Sequence, residues 1–326
     1  MIDLTKFIPE AVLKLPDHRF RDRRAFYASS ALADMRDEYW RWTKEPETNP
    51  TDFLSKIRML CGDGIETAIK QKWISKFHIF GLHLLADQVP VGGSDPIAWD
   101  GYCDWMLAKR DKDGKFTKFL VEVKTKWGFG AKLLWDNPRP KDIENYFLQL
   151  GLYLKDLHEK GKGCEGALFF VLISDDYGND GVPIFGQLLQ FDCRYDPSTE
   201  EVECYAIKKS TGEDELLAKP FRTSIKKVLK SWADLKKHIE KKELPQSQYQ
   251  YKYPVTKAYL KGLSDYQIRR VLKGGVILGD WQPHYSAYKN KILELDEIDS
   301  EYTPDEMLMF EQEYKMRHPK SKVGSK

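Results

Sequence analysis

Between Trp99 and Trp127 the chain reads W-D-G-Y-C-D-W-M-L-A-K-R-D-K-D-G-K-F-T-K-F-L-V-E-V-K-T-K-W. Two arms rich in aromatic and aliphatic residues, roughly Trp99–Lys109 and Phe116–Lys126, flank Lys112-Asp113-Gly114, which has turn chemistry. The pattern predicts a β-hairpin, and a hairpin fixes which residues face one another. A three-residue loop with Gly114 in the left-handed position pairs Asp111 with Lys115. Counting back then sets Asp104 opposite Glu122. Directly opposed residues share a face, and alternation adds Lys124 to that face. A two-residue loop would shift the register by one and send Asp104 to the other side.

Glu122 and Lys124 sit among Phe119, Leu120, Val121 and Val123. That run is apolar on both faces, as a central strand should be. Charge there is costly unless paired or bound to a metal. Two carboxylates with one lysine leave excess negative charge, which a divalent cation would neutralise. Oxygen donors with little nitrogen or sulfur nearby suit Mg²⁺ or Mn²⁺. A structural ion pair between Lys124 and a carboxylate accounts for the same residues, and the spacing alone does not separate the two readings.

Gly101-Tyr-Cys-Asp104 followed by Glu122-Val-Lys124 resembles the G-x-x-D … E-x-K core of the PD-(D/E)XK nuclease superfamily. The Pro-Asp of the superfamily's name is absent, and the G-x-x-D form is that of its RecB-like exonuclease branch. Two more segments, in the branch's order, resemble its other marks. Upstream, Gly62-Asp-Gly-Ile-Glu66 resembles a motif in which glycine is followed four residues on by His or Glu. Downstream, Gln149-Leu-Gly-Leu-Tyr153 resembles the Q-x-x-x-Y helix motif. The resemblance implies an α/β, restriction-endonuclease-like fold: an αβββαβ core with a central mixed β-sheet flanked by helices, and helical additions at both ends. It also implies roles. Asp104, Glu122 and the Val123 carbonyl would hold the metal, with Glu66 on the same or a second ion. Lys124 would orient water or stabilise charge on the phosphate. Gln149 and Tyr153 would position the nucleic-acid strand. A later segment, Gly279-Asp-Trp281-Gln-Pro283-His-Tyr285-Ser286-Ala-Tyr288, resembles the C-terminal segment of the CRISPR-associated and related RecB-like exonucleases. Pro283 and Ser286 stand where cluster cysteines would be, so no iron–sulfur cluster is expected.

The wider composition sets limits on function. With 326 residues, 41% apolar and 31% charged, the chain reads as one globular domain: a core at about 52–210, helical additions over 1–51 and 211–314, and a disordered basic tail over 315–326. No apolar run approaches a membrane span and no signal peptide is evident, so no membrane partner and a cytoplasmic location are expected. Five cysteines without C-x-x-C spacing fit neither a disulfide framework nor a zinc site. The net charge of +2 requires any nucleic-acid footprint to be local.

Along the chain, residues 17–45 read as one helix opened by Arg19, Arg21, Arg23 and Arg24. Asp52 caps a second helix, and Phe77–Val91 forms one or two strands. The segment from Trp127 to Pro140 reads as a glycine- and proline-punctuated loop. It places Lys126, Lys132 and Arg139 among Trp127, Phe129 and Trp135, a mixture that suits single-stranded nucleic acid as well as an ordinary packed loop. Lys141–Lys160 is an amphipathic helix. Ala167–Ile173 is a buried strand, Pro183–Cys193 and Glu201–Lys208 a further hairpin, and Pro220–Lys242 a basic helix.

These readings converge on metal-assisted phosphodiester hydrolysis. The first expectation is a DNA exonuclease acting on single-stranded or duplex ends, with a recombination or replication protein as partner. End preference comes from the resemblance alone. A structure- or sequence-specific endonuclease of the same fold, and a non-catalytic DNA-binding protein, are the alternatives. No P-loop is present, so ATP-driven unwinding is not expected.

Overall fold

The computed structural model describes residues 25–319, apart from 50–51, 73–75, 77, 79–80, 96, 111–112 and 213. The chain divides into two units, residues up to 32 together with 52–237, and 33–51 together with 238–326. In chain order the elements through the first unit are β1 (Phe26–Tyr27), α1 (Met35–Trp42, part of the second unit), α2 (Phe53–Lys72), β2 (Leu82–Gly93), β3 (Trp99–Arg110), β4 (Phe116–Trp127), α3 (Gly128–Asp136), α4 (Glu144–Glu159), β5 (Glu165–Ile173), β6 (Leu188–Asp196), β7 (Glu201–Lys209), β8 (Asp214–Ser224) and α5 (Lys226–Lys241).

The strands form one mixed, open sheet in the order β1-β3-β4-β5-β6-β7-β8, with β2 also paired to β3. β2, β3 and β4 are an antiparallel meander, whereas β5 runs parallel to β4. A parallel step needs a long crossover, and α4 fills it. The expected α-β-β-β-α-β succession is present as α2, β2, β3, β4, α4 and β5, with α3 interposed.

The two faces of β4 are covered by different helices. Ile65 and Ile69 of α2 pack on Val121, Val123, Ala167 and Val171. On the other face Phe147 of α4 meets Phe191 edge-on at 5.7 Å, and Tyr146 meets Phe170 likewise. This double burial is why β4 and β5 read as continuous apolar runs.

Several expectations need correction. The segment at 17–45 is not one helix. Its first part lies outside the described residues, including Arg19, Arg21, Arg23 and Arg24. Phe26 joins the sheet parallel to Trp99 and stacks on Trp232 at 5.3 Å, a 3-10 turn follows at Ala28–Ser30, and α-helix is found only from Met35. Tertiary pairing overrides the local helical pattern there. The loop expected after Trp127 is α3, opened by Gly128. The helical addition expected from 211 begins as β8, an edge strand. Pro220 falls in its irregular stretch, between the Leu216 and Phe221 pairings, where a missing N–H costs no ladder bond. Of the tail expected over 315–326, Lys315 belongs instead to α10 (Pro304–Arg317), and 320–326 lie outside the described residues.

In the second unit, Asp34 caps α1 by accepting the Arg36 N–H at 2.7 Å, and Trp40 packs on Tyr288 at 5.1 Å. Leu260 of α6 (Lys257–Gly262), Ile268 and Val271 of α7 (Asp265–Gly274) and Phe310 of α10 form its core. Short helices α8 (Trp281–His284) and α9 (Lys289–Leu295) lie between. Among the described residues, no helix is long and apolar enough to cross a membrane.

Candidate functional site

The hairpin has the register that the Gly114 loop predicts. Gly114 is left-handed at φ 82°, and Arg110↔Phe116 through Trp105↔Val121 are paired. Counting one step further puts Asp104 across from Glu122. There the two strands part. β3 goes on beside β1 at Trp99–Asp100, while β4 goes on beside β5 as far as Trp127. Parting leaves the Val123 N–H without a β3 carbonyl, and a buried N–H needs an acceptor. Asp104 supplies it: its Oδ2 accepts the Val123 N–H at 2.7 Å. The aspartate closes the crotch of the fork.

Glu122 lies beside it and is 2% exposed. Its Oε1 accepts from Lys124 Nζ and, at 2.8 Å, from Gln149 Nε2. Its Oε2 is buried and accepts no hydrogen bond. Gln149 reaches Tyr153 as well, donating to its hydroxyl oxygen at 2.7 Å. The i, i+4 spacing on α4 sets that pair together on one helix face. Tyr153 can reach the sheet because Gly101 has no side chain: a Cβ there would sit 2.7 Å from Tyr153 Cε1. The glycine of G-x-x-D thus makes room for the tyrosine of Q-x-x-x-Y.

Electrostatics follow from this burial. Desolvation raises the Glu122 carboxyl to about 7; Lys124 pulls the value down and Asp104 pushes it up. For Lys124, burial opposes its charge, but Glu122 and then Asp104 more than offset that, so its pKa rises and the ammonium persists. Its side chain is 24% exposed and lies 5.7 Å from the Tyr146 ring centre. Burial, then the charge on Glu122, raises the Tyr153 hydroxyl. The same two causes hold the Cys103 thiol protonated, so it is no nucleophile at neutral pH.

Glu66 is elsewhere. Its helix, α2, covers the face of the sheet opposite to the Glu122 side chain. Glu66 lines a cleft of about 360 Å³ with Arg58, Asp63, Val123, Lys124 and Thr125. Among the described residues, no three His, Cys, Asp or Glu side chains converge so as to hold a metal ion. A larger concavity of about 700 Å³, lined by Trp105, Leu107, Val121 and Phe169, also lies on the α2 face, and neither Asp104 nor Glu122 lines it.

The basic cluster is partly committed to structure. Lys132 pairs with Asp136 at 3.2 Å and donates to the Tyr177 carbonyl. Lys126 is half-buried at the end of β4, and Arg139 precedes a 3-10 turn at Pro140–Ile143. Trp135 is fully buried. Its indole N–H donates to Asp180 Oδ2 at 2.9 Å, and Lys209 lies over its ring. It offers no stacking surface, whereas Phe129 is exposed. In the second unit, Ser286 is buried and its hydroxyl donates to Asp37 Oδ1 at 2.8 Å. The cysteines are free thiols.

Sequence reasoning misses Gln88, whose amide donates to Asp104 Oδ1 at 3.4 Å. Its signal lies in the β2–β3 register, which a shift between Leu84 and Ala86 conceals.

No family model and no curated protein matches the chain. Among solved structures it is similar to the crystal structure of SSO0001, with 15% identity and a TM-score of 0.31 over 52% of this chain and 73% of that one. So slight a likeness carries no argument.

Proposed function

We propose that the chain is a metal-dependent deoxyribonuclease with a PD-(D/E)XK-type core, most similar in its motifs to RecB-like exonucleases, and that Asp104, Glu122 and Lys124 carry its chemistry. The observation that carries this reading is the partnerless Oε2 of Glu122. A buried carboxylate oxygen without a donor is costly, and a purely structural ion pair has no reason to keep it. The contacts among the motifs add support: Gly101 touches Tyr153, Tyr153 receives Gln149, and Gln149 holds Glu122.

The donor set fits a hard divalent cation. Mg²⁺ is commonly held by one or two carboxylates, with water and substrate phosphate completing the shell. Glu122 Oε2 and the Asp104 carboxylate would hold it, with the Val123 carbonyl as a further oxygen donor, whereas Glu66 lines a separate cleft on the α2 face. When bound, such an ion supplies Lewis acidity towards a phosphate and a water.

The protein's own groups do the rest. Lys124 holds Oε1 of Glu122 and keeps its ammonium charged, partly exposed, where negative charge would build on a phosphate. Gln149 takes the same oxygen, and Oε2 has no hydrogen-bond partner. Tyr153 remains protonated and orients the Gln149 amide through its hydroxyl oxygen. DNA is the proposed substrate, with single-stranded or linear ends favoured.

The test is cleavage of end-labelled linear and circular single-stranded DNA with Mg²⁺, Mn²⁺ or EDTA, comparing wild type with Lys124→Ala. Loss of linear DNA that needs the metal and Lys124, with circles spared, is expected. Cleaved circles would make the enzyme an endonuclease. No cleavage of DNA with either metal would overturn the enzymatic reading.

A further inference from the structure

Gln88 sits on β2 between Asp87, which pairs with Trp105, and Val89, which pairs with Cys103. It therefore stands across from Asp104, and Asp104 in turn stands across from Glu122 by the β3–β4 register. The three residues make one transverse row over three strands.

Gln88 has a φ of 49°. That left-handed conformation is costly for a glutamine inside a strand, and glycine or asparagine would take it more readily. Strain of this kind persists only where the surroundings impose it, and it clusters at functional sites. What glutamine adds here is its amide, which donates to Asp104 Oδ1 at 3.4 Å while the Val123 N–H occupies Oδ2 at 2.7 Å. Both oxygens of Asp104 are engaged, from the strands on either side, and two such bonds fix the plane of a carboxylate.

We infer that Gln88 is the positioning residue for Asp104: β2 takes a left-handed residue at this point and thereby holds an amide on Oδ1. The inference rests on the reading of the fork as a cation site, and it assigns Gln88 no contact with substrate.

The test uses the purified full chain. Mn²⁺ binding is followed by electron paramagnetic resonance in wild type, Gln88→Gly and Gln88→Ala, and the melting temperature of each is measured. Gln88→Gly relieves the backbone and loses the amide, so it should melt higher yet bind Mn²⁺ about tenfold more weakly, the low end for loss of a ligand's hydrogen-bond partner. Gln88→Ala should bind as weakly without gaining stability. A residue that merely shapes the strand would change melting and leave binding alone; wild-type affinity in both variants overturns the inference. If wild type binds no Mn²⁺, the cation reading falls by itself. Crystal structures of wild type and Gln88→Gly then decide: a rotated or disordered Asp104 carboxylate supports positioning, and an unmoved one refutes it.

Discussion

Glu122 and Glu144 are glutamates of the same unit in opposite circumstances. Glu144, at the start of α4, accepts from Lys141, Lys227 and Thr223. Burial works against its charge, but those donors prevail and lower its carboxyl to about 2. Glu122 has Lys124 and Gln149 on one oxygen, nothing on the other, and a carboxyl raised to about 7. One carboxylate is saturated with donors and serves the fold. The other is left short of them at the point where two strands separate. The contrast is between a carboxylate whose charge is fully paired and one that is not, which the spacing of charges in the sequence does not reveal.

The largest expected effect is on catalysis. Glu122→Gln and Lys124→Met should each lower metal-dependent DNA cleavage by about 10²–10³-fold or more, whereas Glu144→Gln should leave the rate unchanged. Equal losses in all three would erase the contrast.

Stability should move the other way. Replacing Glu122 and Lys124 together, as Glu122→Leu with Lys124→Met, should stabilise the protein by about 1–4 kcal/mol in urea unfolding, as apolar replacement of a buried ion pair often does. Glu144→Ala should destabilise it by about 1–2 kcal/mol through lost charge-assisted hydrogen bonds. A strongly destabilised double variant would mark the Glu122–Lys124 pair as structural.

The pH dependence separates the two by sign. The folded-state pKa of Glu122 lies above its unfolded value, so the folded state binds more protons over that interval. Without divalent metal, stability should therefore fall as pH rises from about 4.5 to about 7, by on the order of 3 kcal/mol at most. Glu144 is depressed, so its contribution is present above about 4.5 and is lost as pH falls towards 2. Urea midpoints of wild type, Glu122→Gln and Glu144→Gln between pH 3 and 8 would show each limb vanish with its own residue.

A smaller effect tests the packing behind Glu122. Gly101→Ala would drive a methyl into Tyr153 and should cost about 1–3 kcal/mol, and Tyr153→Phe about 1 kcal/mol. An unaltered Gly101→Ala protein would show that Tyr153 does not pack against Gly101.

What could be read from the sequence was what is local. The hairpin register follows from Gly114 and strict alternation. The α4 stripe follows from helical spacing, and β5 from an unbroken apolar run. Asp104, Glu122, Lys124, Gln149 and Tyr153 are consequently brought together as the register and the helix period require. What stayed hidden depends on distant partners. β1 is a two-residue strand that exists because Trp99 and Trp232 receive Phe26. Gly128 and Gly130 looked like loop residues, yet α3 forms across them, with Ala131, Leu134 and Trp135 buried. Gln88 depends on an irregular strand, and Glu66 belongs to a helix whose side of the sheet no local pattern reveals.

A cation held at Glu122 Oε2 is what the proposed chemistry requires. The most direct measurement is anomalous diffraction from crystals soaked in Mn²⁺, for wild type and Glu122→Gln. A peak is expected in the fork, at coordination distance from Glu122 Oε2 and the Asp104 carboxylate, which disappears in the variant. A fork empty of Mn²⁺ in wild type, or a peak that persists in Glu122→Gln, would contradict it.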